Sequence, residues 1–242
     1  MITYRPLPFF NQRKLPVNML VIHSMAHNAA EGIKQLEKLQ LSAHYVVDYD
    51  GTVYQCVNED QRAWHAGVSF WRGITDVNSA SIGIEVCHRS LGQSRFNRKQ
   101  ISSLSELCKD IINRRRIAPT MIVGHSDIAP ERKPDPGKDF PWRELAADNI
   151  GIWYGSRFST TTDARQMLSE IGYNTNGERA LQAAAYAFCR RFLSKKIIKL
   201  PVKKLVEHPF PEDNASLLED NEFLNTLQNI HCQYQMYGKT NL

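Results

Sequence analysis

The chain of 242 residues is 42% hydrophobic and carries a formal charge of +5, with Lys and Arg spread along it rather than gathered in one run. That composition excludes a disordered chain and leaves space for one large domain, or a main domain with a smaller appendage. Its mildly basic balance suits an anionic polymer such as a cell-wall glycan or its acidic peptides, and without basic residues interleaved with aromatics no nucleic-acid module is recognisable.

Five cysteines, at positions 56, 87, 108, 189 and 232, form no CxxC pair and are odd in number, which points to buried thiols rather than a disulfide framework or a cysteine zinc knuckle. No apolar run reaches the length of a membrane span. The opening stretch MITYRPLPFFNQRKLPVN has prolines and charges where a signal segment would have its apolar core, so the chain as written reads as soluble.

In chain order, MLVI at 19–22 reads as a short buried strand ending at His23, followed by a polar turn and the helical pattern AAEGIKQLEKLQ. SAHYVVDYDGTVYQCV reads as a hairpin turning at Asp50-Gly51, and RAWHAGVSFWRG as an ordered loop rich in glycine and aromatics. SIGIEVCH, 81–88, is a further strand in which Glu85 stands among Ile82, Ile84 and Val86; burying that carboxylate unpaired would be expensive. NRKQISSLSELCKDIINRR spaces Ile101, Leu104, Leu107, Cys108 and Ile111 as a helix with Asn97 as its N-cap, and TMIVGHSDIAP is a last strand and its loop. Strands and helices in this order predict an α/β fold with a mixed sheet flanked by helices.

After Trp142 the pattern changes. TTTDARQMLSEIGY, ERALQAAAYAFCRRFL and SLLEDNEFLNTLQNIHCQYQMYG are three helical patterns without a strand between them, and LPVKKLVEHPFPEDN is a proline-interrupted connector. Residues 1–154 are therefore expected to form the main domain, and 155–242 a small all-helical one.

His23 at the end of MLVI, His125 after MIV and Asp135 in the KPDPG turn form a three-ligand set for a catalytic zinc with one position open for water. Such an ion lowers the pKa of its water to about 7. Pro130, Pro134 and Pro136 restrict the loop and limit the entropy lost on fixing Asp135 near His125. Glu85 fits a general base, and Lys133 an ammonium beside the oxygen that turns negative when a carbonyl is attacked. Each residue also has an ordinary use: a hydrogen-bonding histidine, a turn aspartate, a solvated strand glutamate, a surface lysine. The residues by themselves leave a metal site and these unrelated uses both open.

Taken together, VIHS, SAHYVVDYDGTVYQCV, RAWHAG, NSASIGIEV and VGHSDIAPERKPDPG resemble the type 2 N-acetylmuramoyl-L-alanine amidases, the zinc-dependent group with AmpD/AmiD-like members to which phage-lysozyme amidases and peptidoglycan recognition proteins are related. The likeness runs from about His23 to Trp142. It implies zinc held by His23, His125 and Asp135, with Glu85 and Lys133 as the catalytic pair. It further implies cleavage of the amide between the lactyl group of (anhydro-)N-acetylmuramic acid and L-alanine of the stem peptide, with peptidoglycan or muropeptide fragments as partners. Arg62, Trp64, His65 and Asn78 are expected to line the substrate groove, and His65 and His44 have an alternative use orienting the metal site.

More loosely, the IGY and AAYAFCRRF segments resemble a peptidoglycan-binding-like helical domain; a bundle that buttresses the catalytic domain is the alternative. That architecture implies a periplasmic or envelope setting if a leader was removed, and the missing leader and unpaired cysteines imply the cytoplasm. The rival functional readings are a non-catalytic muropeptide sensor and a zinc hydrolase of another amide on the same scaffold.

Overall fold

A computed structural model of the protein describes residues 2–211 and 215–239; residues 212–214 of the expected connector lie outside the described part. Among the described residues eight strands enter the sheets: β1 (Ile2–Tyr4), β2 (Phe10–Gln12), β3 (Met19–Met25), β4 (Tyr45–Val47), β5 (Val53–Gln55), β6 (Gln61–Ala63), β7 (Ser81–Cys87) and β8 (Ile122–Gly124). Six form a mixed sheet in the order β1-β5-β4-β7-β3-β8, and β2 pairs with β6 in a separate ribbon. At the centre β4, β7, β3 and β8 run parallel, with His23 directly beside Glu85 and Ile22 beside Gly124. β7 is buried along its whole length and β3 over all but its last residue, as strands covered on both faces are.

Among the described residues the helices are α1 (Ala29–Lys38), α2 (Val77–Ala80), α3 (Arg98–Arg115), α4 (His125–Ile128), α5 (Trp142–Ala147), α6 (Ala164–Ile171), α7 (Glu178–Phe192), α8 (Val202–Glu207) and α9 (Asn221–Lys239). None is long and apolar enough to cross a membrane. Asn97 caps α3 as its position predicts, its side chain accepting from the Lys99 N–H at 2.9 Å.

Strand alternation divides the core. Leu20, Ile22, Ile82, Ile84 and Val86 pack with Ile101, Leu104, Leu107, Cys108 and Ile111 of α3 on one face. Met19, Val21 and Val123 share the other core with Met167, Leu168 and Ile171 of α6, Phe188 of α7 and Phe223, Leu227 and Ile230 of α9. The C-terminal helices thus cover one face of the sheet, and their apolar core is continuous with it. In the same alternation His23 follows Met19 and Val21, and Glu85 follows Gly83, so both side chains leave the sheet on one face.

The structure departs from the sequence reading in four places. β3 continues past His23, because its ladder with the equally long β7 runs on to Met25 and Cys87. His125 does not stand in a loop but opens α4, whose first turn is closed by the Asp127 carboxylate accepting from the Gly124 N–H at 2.8 Å. The N-terminal stretch supplies β1 and β2, and the segment expected as loop supplies β6.

Candidate metal centre and active site

His23, His125 and Asp135 come together at the carboxyl ends of the parallel strands, where open α/β sheets place their ligands. His23 Nδ1 lies 2.9 Å from His125 Nδ1, Asp135 Oδ2 lies 3.1 Å from His125 Nδ1 and 3.4 Å from His23 Nδ1, and all three residues are buried. Their backbones are tied as well, the Ser126 N–H donating to Asp135 O at 2.8 Å.

The outer nitrogens decide what these atoms can do. His125 Nε2 faces the Ala66 carbonyl at 3.2 Å and must carry the proton it donates there. A consistent chain follows for the other ring: His23 Nε2 donates to His65 Nδ1 at 3.0 Å, His65 Nε2 to Ser81 Oγ at 3.3 Å, and Ser81 Oγ to Val77 O at 2.6 Å. Both Nδ1 atoms are then lone pairs, and with Asp135 Oδ2 three acceptors converge without a hydrogen between them. A cation resolves that arrangement. Ligands bound tetrahedrally at about 2.0–2.1 Å lie about 3.3 Å apart, close to the three separations found here. Burial, followed by the neighbouring His125, lowers His23 to about 4, so its ring is neutral and able to ligate.

Glu85 stands beside this cluster, Oε1 3.9 Å from His23 Nδ1, while its buried Oε2 has no partner. Burial, then the Asp135 charge, raises it to about 8 against a smaller opposite pull from Lys133. Lys133 is half-buried at the end of a turn closed by its own N–H on Ala129 O at 3.0 Å, and its charge is felt at Glu85 and His23.

The four residues expected along the groove separate into two kinds. Arg62 and Asn78 reach the wall of a cavity of about 910 Å³, together with Val68, Phe70, Ala129 and Arg132; the three convergent ligands are not among its lining residues. The Arg62 guanidinium is held by Asp76 at 3.0 Å, and Trp64 Nε1 donates to Asn11 at 2.8 Å. Asn78 Oδ1 accepts from the His65 and Ala66 N–H groups at 3.0 and 2.8 Å, which fixes the loop that carries His65. His65 lies behind His23 rather than in a groove, in the orienting position that was its alternative. His44 is one step further off, accepting from the Gly83 N–H at 2.9 Å.

Three contributors were not found from sequence. Gly83 leaves space for the His65 ring, since a Cβ there would sit 2.5 Å from its Cγ. Ser81 and the Ala66 carbonyl terminate the two imidazole hydrogen bonds. A glycine in a buried strand signals close approach, but not of which group.

Comparison with known proteins gives the family. Residues 13–138 match the family described as N-acetylmuramoyl-L-alanine amidase. N-acetylmuramoyl-L-alanine amidase AmiD of Escherichia coli (strain K12) is 43% identical over 151 residues, 57% of this chain and 55% of that protein. 1,6-Anhydro-N-acetylmuramyl-L-alanine amidase AmpD of Enterobacter cloacae is 41% identical over 113 residues, 47% of this chain and 59% of that protein. The chain therefore spans little more than half the length of these curated relatives. The solved complex of Escherichia coli AmiD with anhydro-N-acetylmuramic acid-L-Ala-D-gamma-Glu-L-Lys is similar over 90% of each chain, with a TM-score of 0.70 and 30% identity. AmpDh3 of Pseudomonas aeruginosa, solved with an anhydromuramic pentapeptide, is similar over 96% of each chain, with a TM-score of 0.71 and 28% identity. Because the sequence match extends over more than half of the chain and takes in every strand from β3 to β8, the chain belongs to the N-acetylmuramoyl-L-alanine amidase family.

Proposed function

We propose that the protein is a zinc-dependent amidase that hydrolyses the bond between the lactyl group of (anhydro-)N-acetylmuramic acid and L-alanine of the stem peptide. The observation that carries this reading is the convergence of three acceptor atoms, two imidazole and one carboxylate, beside a buried carboxylate with an unpartnered oxygen. His23 Nδ1, His125 Nδ1 and Asp135 Oδ2 would hold the ion, which when bound supplies Lewis acidity and acidifies water.

Glu85 takes the proton of the attacking water at Oε2 and returns it to the departing alanine nitrogen. Lys133 sets its ammonium beside the carbonyl oxygen as negative charge develops there. The His23–His65–Ser81 chain keeps the ligand tautomer and its ring orientation, as outer partners of metal-bound histidines do. The retained trio and Glu85 favour turnover over a sensor that merely holds muropeptides. Support for the substrate comes from the AmiD and AmpDh3 structures, whose bound ligands are anhydromuramyl peptides. The segments 1–154 and 155–242 are read as a catalytic domain and a helical domain that buttresses it, their shared apolar core supporting the buttress over an independent module.

The test is product analysis by mass spectrometry after incubation with a defined anhydromuropeptide or with intact sacculi. Free stem peptide and the matching anhydromuramyl sugar are expected, and comparing the two substrates separates recycling from wall remodelling. Cleavage at a different amide, or at none, would refute the assignment.

A further inference from the structure

Two residues of the C-terminal helical region, Tyr173 and Arg191, bond to Asp127 beside the ligand His125, and neither belongs to the proposed ligand or catalytic set. Asp127 stands two residues after His125 within the four-residue α4. Its carboxylate accepts from three donors: the Gly124 N–H at 2.8 Å and Arg191 Nη1 at 2.8 Å on Oδ2, and the Tyr173 hydroxyl at 2.8 Å on Oδ1. The Arg191 and Asp127 side chains are 2% and 1% exposed. Arg191 also donates to Ile122 O at 3.2 Å, on the strand that leads into His125, and its guanidinium lies 3.9 Å from the centre of the Trp142 ring.

A single helical turn has little stiffness of its own, because helix nucleation is unfavourable without outside contacts. The direction in which α4 presents His125 is therefore set by what anchors that turn. One anchor is Asp127. Further anchors are the Ser126 N–H on Asp135 O, the Phe70 N–H on Ile128 O at 2.8 Å and the Ala66 carbonyl at His125 Nε2, and the loop of Ala66 and Phe70 is also held by the C-terminal helices: the Arg72 N–H donates to Gly172 O at 2.9 Å, Arg72 Nη1 to Ile171 O at 2.8 Å, and Trp71 meets Tyr173 edge-on at 5.0 Å.

We propose that Arg191 and Tyr173 are positioning residues that hold His125 in its metal-binding orientation through Asp127, so that the C-terminal helices form part of the metal site's support. The role rests on the proposed ligand set. A buried ion pair, here with Arg191 Nε left without a partner among the described residues, is a poor source of net stability; the three bonds that Tyr173 and Arg191 make to Asp127 and Ile122 instead fix direction, which is what a ligand on a four-residue helix needs.

The experiment uses the full chain and reads the metal directly. Zinc affinity is measured by competition with a chromophoric chelator, and ligand geometry by the visible spectrum of the cobalt-substituted protein, in Tyr173→Phe, Arg191→Met, Arg191→Lys and Phe223→Leu. Tyr173→Phe and Arg191→Met are expected to weaken zinc binding about tenfold, as loss of outer-shell partners does, and to alter the cobalt bands, with Arg191→Lys partly restoring both. Phe223→Leu perturbs the same helical core without touching the network, so it should lower Tm and leave affinity and spectrum unchanged. A folded Tyr173→Phe protein with wild-type affinity and spectrum would overturn the proposal, as would Phe223→Leu weakening zinc equally. Tyr173→Phe loses one hydroxyl and decides the matter even if Arg191→Met does not fold. A wild-type chain without zinc affinity would instead overturn the ligand set, and this role with it.

Discussion

Replacing Glu85 by Gln keeps the shape of the side chain and removes its ability to carry a proton. If Glu85 is the base, turnover should fall by about 10²–10⁴-fold. Stability should move the other way. In the metal-free protein the folded state holds the Glu85 proton up to about pH 8, against an ordinary value of 4.5, so folding stability declines as pH rises between those two values, and Gln has no such decline. At about 1.4 kcal/mol per pH unit the upper bound of that penalty is about 5 kcal/mol, which relaxation and water entry reduce to about 2 kcal/mol. Chelated Glu85→Gln protein at pH 8 should therefore melt about 4–8 °C above the chelated wild type, using 2–4 °C per kcal/mol for a chain of this size. The paired assays are stem-peptide release and thermal unfolding of the stripped proteins at pH 5 and pH 8, where the Tm difference should shrink at the lower pH. Near-wild-type turnover would rule out Glu85 as the base, and a variant that melts no higher at pH 8 than at pH 5 relative to wild type would rule out its buried proton.

Zinc at about 100 times its dissociation constant should stabilise the protein by about 2.7 kcal/mol, read as a Tm rise that a chelator reverses. Asn78→Ala strips the acceptor from the buried His65 and Ala66 N–H groups and should cost about 2–3 kcal/mol in denaturant unfolding, with activity lowered through the loop. Burial raises Glu59, but Arg114, Tyr45 and Arg115 together hold it at about 2. Its stabilising contribution is thus present above about pH 4.5 and disappears as pH falls toward 2. Glu59→Gln should flatten that acid limb and cost about 2 kcal/mol at neutral pH, reduced from the buried-pair value by the exposure of Arg114.

Much of the fold was legible because its long elements follow simple periodicities. The buried runs of β3 and β7, the apolar stripe and Asn97 cap of α3 and the hairpin at Gly51 each carry a local signal. β1 and β2 carry none: both are exposed three-residue strands in a proline-bearing stretch, and their partners β5 and β6 lie about fifty residues away in sequence. For the site, proline and charge density set the GHSDIAPERKPDPG loop with His125 and Asp135 apart, and His23 stood at a strand end, but these signals left a metal site and ordinary uses both open, and the trio came from the family resemblance. The inward turn of His65 was harder to see, since its loop is irregular and its position depends on Asn78 and on the missing side chain at Gly83. Arg191 was the least visible. Basic residues in the last turn of a helix are ordinary companions of its dipole, and nothing in AAYAFCRRF tells that this one is buried against Asp127.

His23, His125 and Asp135 are proposed to hold the metal on which amide hydrolysis depends. Chelator-stripped protein titrated with zinc, while stem-peptide release from an anhydromuropeptide is followed, tests it most directly. Release should be lost on stripping and rise linearly to a plateau at one zinc per chain, and the Asp135→Ala chain should need far more zinc to approach it. Undiminished release from stripped protein, or the same titration curve for Asp135→Ala as for wild type, would contradict the claim.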